Sequence, residues 1–188
     1  MIKEIRYETN IYKDVDFRKP TIFLAGPTVR GNQPHLVSWR FEAISIFKKF
    51  NFHGNLIIPE FTDKKESDKD KYELPLWEYH GLCNSHVNLF WLPRTRELIG
   101  LTTNDELGYW RARDRSKVVY GRSEDAYRCK YQDIMWFKDA ERHGIKDVCI
   151  YHTLEDTIRA SIYLAQDKLN GELKDQETVT KWRMTYKD

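Results

Sequence analysis

Short apolar runs alternate along the chain with stretches in which apolar residues recur every three or four positions, the pattern of strands and helices in βαβ units. TIFLA at Thr21–Ala25, stopped by Gly26 and Pro27, predicts the first strand. A helix is expected over residues 34–50, where Leu36, Trp39, Ala43, Ile46, Phe47 and Phe50 share one face. A second strand follows at 55–58, closed by Pro59, then a weaker helix at 74–84. VNLFWL at Val87–Leu92 carries no charge and suits a central strand covered on both faces. Next come a helix at 104–115, capped by Thr102 or Thr103 through Asp105 or Glu106, and a fourth strand at 117–120 ended by Gly121. In the helix expected at 131–143, Ile134, Phe137 and Ala140 lie on one face, with Gly144 as its C-cap. Val148 to Tyr151 predicts a fifth strand. Thr153 with Asp156 then fits a capping box that opens a last helix carrying Leu154, Ile158, Ile162 and Ala165.

This order predicts an α/β protein: a flavodoxin-like or Rossmann-like three-layer sandwich around a mainly parallel five-stranded sheet. The 188 residues suit a single domain with its core at about 20–168. Residues 1–19 and 171–188 fall outside the repeating pattern, as an N-terminal arm and a C-terminal tail that can contact another subunit. Residues 63–71, DKKESDKDK, mix both signs and read as a solvated loop or as a lid over a pocket.

Charge and composition narrow the function classes. Charged residues make up 32% of the chain, yet the net charge is only +2, which disfavours a polymeric nucleic acid as partner and favours a small molecule. No apolar run approaches the roughly 20 residues of a membrane span, and the first ten residues lack the apolar core of a signal peptide, so a cytoplasmic protein without a membrane partner is expected. Cys83, Cys129 and Cys149 are unevenly spaced and without a CxxC, which indicates reduced, mostly buried residues and no zinc site. No metal or cofactor is implied.

The P-loop, dinucleotide-fold, zincin and nucleophile-elbow motifs are all missing, which leaves carboxylates as the candidate chemistry. Glu106 stands at the junction of the loop after the central strand and the following helix. In an open α/β sheet that is the mouth of the crevice; alternatively, Asp105 and Glu106 complement a positive helix N-terminus. Trp110, one turn on, draws the Glu106 face toward the sheet. Arg40 falls within the apolar stripe of its helix, where it either snorkels outward or offers a cation to a phosphate, carboxylate or sugar oxygen. The Gly26-Pro27-Thr28 turn, followed by Gly31, lets a ligand approach backbone N–H groups.

TIFLAGPT at 21–28, SWR at 38–40 with Ala43, Ile58-Pro59, Trp77-Glu78, LFWLPR at 89–94 and TTNDELGYW at 102–110 followed by VVYGR form an ordered set that resembles the nucleoside 2-deoxyribosyltransferase-like family over roughly residues 20–165. The resemblance implies a flavodoxin-like, usually oligomeric enzyme that cleaves the N-glycosidic bond of deoxynucleosides or their monophosphates. It implies Glu106 as nucleophile and Glu78, close to the position of the family's assisting aspartate, as acid/base helper. Between Arg94 and Thr103 there is no aspartate matching the additional one of classical transferases, so the likeness is to a divergent branch. Trp39, Trp77 and Trp91 become candidates for stacking on a base, with core packing as the alternative for each, and Gly26, Pro27, Thr28, Arg40 and Thr103 become candidate substrate contacts. The expected acceptor is another base. A nucleotide N-glycosidase or NAD-type glycohydrolase using water, and a nucleotide sensor without chemistry, are the alternatives.

Overall fold

The computed structural model describes residues 1–29, 33, 35–62, 73–146 and 148–171. Among them are five parallel strands, β1 (Ile2–Ile5), β2 (Thr21–Ala25), β3 (Gly54–Ile57), β4 (Val87–Leu92) and β5 (Val118–Arg122), in the spatial order β1-β3-β2-β4-β5. Every residue of β2, β3 and β4 is buried, which explains their uncharged, largely apolar character: helices cover both faces.

On one face α1 (Trp39–Lys49) and α5 (Leu154–Asn170) pack Ala43, Phe47, Ile158 and Ile162 against Ile22, Leu24, Leu89 and Val119. On the other, α2 (Glu73–Asn84), α3 (Leu101–Arg113) and α4 (Lys130–Arg142) pack Trp77, Leu107, Trp110 and Trp136 against Phe23, Phe90 and Tyr120. The result is the expected flavodoxin-like three-layer sandwich, with side chains from alternate positions of each strand feeding two separate cores.

Several elements depart from the sequence pattern. Residues 1–19 are not an arm: β1 pairs with β3 from Ile2↔Gly54 to Ile5↔Ile57, and Ile5 and Ile11 are fully buried. The strand expected at 148–151 is reduced to a single parallel bridge, Gly121↔Tyr151, so the fifth strand of the sheet comes from the opposite end of the chain. Gly121 does not end β5 but lies within it, where a Cβ would overlap the Thr157 side chain of α5. α1 starts at Trp39, five residues later than the expected start at 34, where the Ser38 hydroxyl accepts from the Arg40 N–H at 3.2 Å.

α4 is rotated from its predicted face. Trp136 and Ala140 are buried, whereas Ile134 and Phe137 are 49% and 48% exposed. The indole decides the rotation: it meets Tyr120 edge-on at 5.4 Å, lies 3.6 Å beneath the Arg115 guanidinium and donates to the Cys149 carbonyl. The capping box of α5 forms as expected, with Thr153 accepting from the Asp156 N–H at 3.0 Å. Cys129 is buried, while Cys83 and Cys149 are half-buried; all three are free thiols. No helix among the described residues is long and apolar enough to cross a membrane. The segment at 63–71, Gly31, and the tail beyond Gly171 lie outside the described residues.

Candidate active site

The chain leaves β2 toward β3 on one side and β4 toward β5 on the other, so the carboxyl ends of these two neighbouring strands mark the switch point where open α/β sheets bind ligands. Gly26, Pro27 and Thr28 leave β2 there, with Gly26 and Pro27 buried and Thr28 exposed. Gly26 is obligatory: a Cβ would overlap the Trp91 carbonyl oxygen and the Trp39 ring. The Trp39 indole N–H donates to the Pro27 carbonyl at 3.1 Å, which ties this turn to α1.

Of the two orientations open to Arg40, the structure takes the inward one, and the side chain is only 1% exposed. Nε donates to the Leu24 carbonyl at 3.0 Å, Nη2 to the Gly26 carbonyl at 2.9 Å, and Nη1 to Glu60 Oε1 at 2.8 Å and Thr28 Oγ1 at 3.2 Å. Each of these bonds ends on the protein, so Arg40 fastens the turn after β2 rather than reaching out for a substrate oxygen.

Beside it lies a pair of carboxyl groups. Glu78 from α2 and Glu106 from α3 share a hydrogen bond, and the Tyr7 hydroxyl, from the segment just after β1, donates to Glu78 Oε1. Burial, and after it the charge of Glu78, pushes Glu106 up to about 8. Burial also raises Glu78, opposed by the hydrogen bonds from Tyr7 and Glu106 and by the Arg40 charge. Burial and the Glu78 charge hold the Tyr7 phenol far above its ordinary range, so it remains a donor. Two like charges in contact disfavour each other in a half-buried site, so the pair favours a shared proton, carried on Glu106 and accepted by Glu78. A shared proton between two carboxyl groups provides one nucleophile and one acid.

The local structure around Glu106 differs from the sequence expectation. α3 begins at Leu101 after Gly100, whose φ of +64° glycine tolerates without strain, and neither Thr102 nor Thr103 caps it. Glu106 therefore sits in the second turn, beyond the reach of the helix-end charge that would otherwise account for it. Thr103 is 3% exposed and faces the protein interior. Trp39, Trp77 and Trp91 are 7%, 6% and 6% exposed and packed in the two cores, with the Trp77 N–H on the Thr9 carbonyl at 3.0 Å. Their rings lack the open face that stacking on a base requires, so packing is the role their environment supports. Gly26, Pro27, Thr28, Arg40, Glu78 and Glu106 gather at the crevice, whereas Trp39 and Trp91 belong to one core and Trp77 to the other.

Tyr7 and Glu60 belong to this site and were not expected. Glu60 follows the Ile58-Pro59 strand end, where a carboxylate could have been suspected from its place at the carboxyl edge of the sheet. Tyr7 carries no such signal, because its segment lies outside the repeating pattern. Among the described residues, no group of three or more His, Cys, Asp or Glu is arranged to hold a metal ion. No protein-family model matches this chain, and no curated protein matches it.

Proposed function

We propose that the protein cleaves the N-glycosidic bond of a deoxynucleoside or deoxynucleotide through a covalent glycosyl-Glu106 intermediate and passes the sugar to a second base. The observation that carries this reading is the hydrogen-bonded Glu78–Glu106 pair at the switch-point crevice, two half-buried carboxyl groups whose desolvation and mutual charge favour a shared proton. The resemblance of its surrounding motifs to the nucleoside 2-deoxyribosyltransferase-like family supplies the substrate class.

The chemistry follows from the pair. Glu106 hands its proton to Glu78 and, as a carboxylate, attacks C1′ of the sugar while the C1′–N bond breaks. Glu78 delivers the same proton to the departing base nitrogen, so no charge is left on the leaving group. The carboxyl groups of retaining glycosidases stand about 5–5.5 Å apart; hydrogen-bond contact is closer and lets the proton pass directly between them. In the second half, a nitrogen of the acceptor base attacks C1′, the Glu106 ester bond breaks, and the proton lost by the acceptor returns to the pair. A 2-deoxy sugar offers no 2-hydroxyl to stabilise the oxocarbenium-like transition state, which places more weight on the Glu106 anion. The reading includes a homo-oligomer working in the cytoplasm, the first part of which sedimentation measures directly.

Incubation with deoxynucleosides, their monophosphates and NAD, with and without a second base, tests the reading by chromatography. Base exchange is expected. Free base alone would make water the acceptor, and no release across the panel would refute the proposal. Glu106→Ala should lower turnover by at least about 1,000-fold, as expected when a covalent nucleophile is lost; undiminished turnover would remove Glu106 from the mechanism.

A further inference from the structure

Arg40 donates to the main-chain carbonyls of Leu24, Gly26 and Pro27 at 3.0, 2.9 and 3.4 Å. Carbonyl dipoles satisfy its N–H groups but leave its full positive charge in an interior of low dielectric. Among the described residues, the carboxylate in ion-pair contact with it is Glu60, at 2.8 Å and with a side chain 12% exposed. Glu60 is itself fixed, because the Ser38 hydroxyl donates to the same Oε1 at 2.7 Å. The field of Arg40 reaches three groups of the candidate site, Tyr7, Glu78 and Glu106.

We propose that Glu60 is a positioning residue of the carboxyl pair: by pairing with Arg40 it sets how much of that buried cation's field reaches Glu78 and Glu106. This rests on the pair being the reactive centre, but its physical content stands apart from the identity of the substrate. The charged and titratable groups facing the pair are Tyr7 from the segment after β1, Arg40 from α1, and Asp105 on α3 beside Glu106. Only Arg40 among these favours ionisation of the carboxyls by its charge. Glu60 works against that cation from the carboxyl end of β3. With Glu60 neutral, an uncompensated positive charge faces the pair, and its shared proton leaves at lower pH. A pair that loses this proton too early has no acid for the leaving base; one that holds it too firmly has no nucleophile.

Glu60→Gln keeps an oxygen for both Arg40 and Ser38 while removing the charge. In protein carrying [δ-13C]glutamate, with Glu78 and Glu106 assigned from their Gln variants, the carboxyl titration of the pair should move down by on the order of one pH unit in Glu60→Gln. Ser38→Ala loosens the same network without changing its charge and should leave the titration where it is. An unmoved pair in Glu60→Gln, or an equal movement in Ser38→Ala, overturns the proposal. If the single variant does not fold, the charge-free double variant Arg40→Gln/Glu60→Gln carries the test, because removing both members of a buried pair leaves no unpaired ion. Its carboxyl pair should titrate below that of Arg40→Gln, in which Glu60 keeps its charge, and equal values in the two variants also overturn the proposal. The titration needs no substrate. A protein that shows these shifts and releases no base from any nucleoside refutes the glycosidic reading and upholds the electrostatic one.

Discussion

Glu106 is a side chain whose ionisation the fold opposes, and that opposition has a thermodynamic sign. Its ordinary value of 4.5 applies in the unfolded chain, against about 8 in the folded one. The folded state therefore binds the extra proton, a contribution fully present below about pH 4.5 and lost as pH rises through about 8. Glu106→Gln, which cannot ionise, should raise the melting temperature at pH 8 by roughly 3–6 °C, equivalent to about 1–2 kcal/mol, and give no gain at pH 4.5. Calorimetry at the two pH values checks it; an equal gain at both would trace the effect to packing instead. Tyr7→Phe removes the donor that favours the charged form of Glu78. A hydrogen bond to a charged group is worth about 1.5–3 kcal/mol, so turnover should fall about 10–100-fold, with the basic limb of its pH profile moved upward. Glu106 and Glu78 were legible in the sequence through the motifs around them, whereas the state of Arg40 was not. Whether an arginine in an apolar stripe snorkels or turns inward depends on carbonyls that only the folded turn after β2 brings within reach.

At the level of elements, period and punctuation located the three central strands and the helices between them, because each strand is buried on both faces and is uncharged and largely apolar. Edges and helix rotations were less legible. β1 has the burial pattern of a strand exposed at its middle, and its IKEI sequence carries two charges, as edge strands often do. Only its pairing with β3 and the burial of Ile5 identify it as part of the sheet. Ile5→Ala should cost about 2–5 kcal/mol, measured by denaturant unfolding, a penalty that an arm outside the core would not incur. On α4 the periodicity is helical, but the buried face is the one carrying Trp136 and Ala140, because the indole finds Tyr120, Arg115 and the Cys149 carbonyl, contacts that no pattern along the chain reveals. Phe137→Glu should accordingly alter stability by no more than about 0.5 kcal/mol, as for other exposed positions.

Over the whole molecule, the candidate site is assembled from successive connections of one parallel sheet: Tyr7 after β1, Arg40 in α1, Glu60 after β3, Glu78 in α2 and Glu106 in α3. Such distribution is why no compact motif announces the site, and why the ordered series of short motifs was more informative than any one of them. It also gives the edge strand a role beyond stability. Tyr7 lies 71 residues from its partner Glu78, and the segment that carries it follows a four-residue strand with a single neighbour in the sheet. Edge strands of this length open locally at a lower free energy than the core. Detachment of β1 would withdraw Tyr7 from the carboxyl pair while the rest of the sandwich stays folded, so competence becomes a population: the fraction of molecules with the edge docked. On warming, turnover would then begin to fail in step with amide exchange at Ile2–Ile5, before the central strands lose their protection, making the first four residues of the sheet a thermal fuse for chemistry performed elsewhere in the chain.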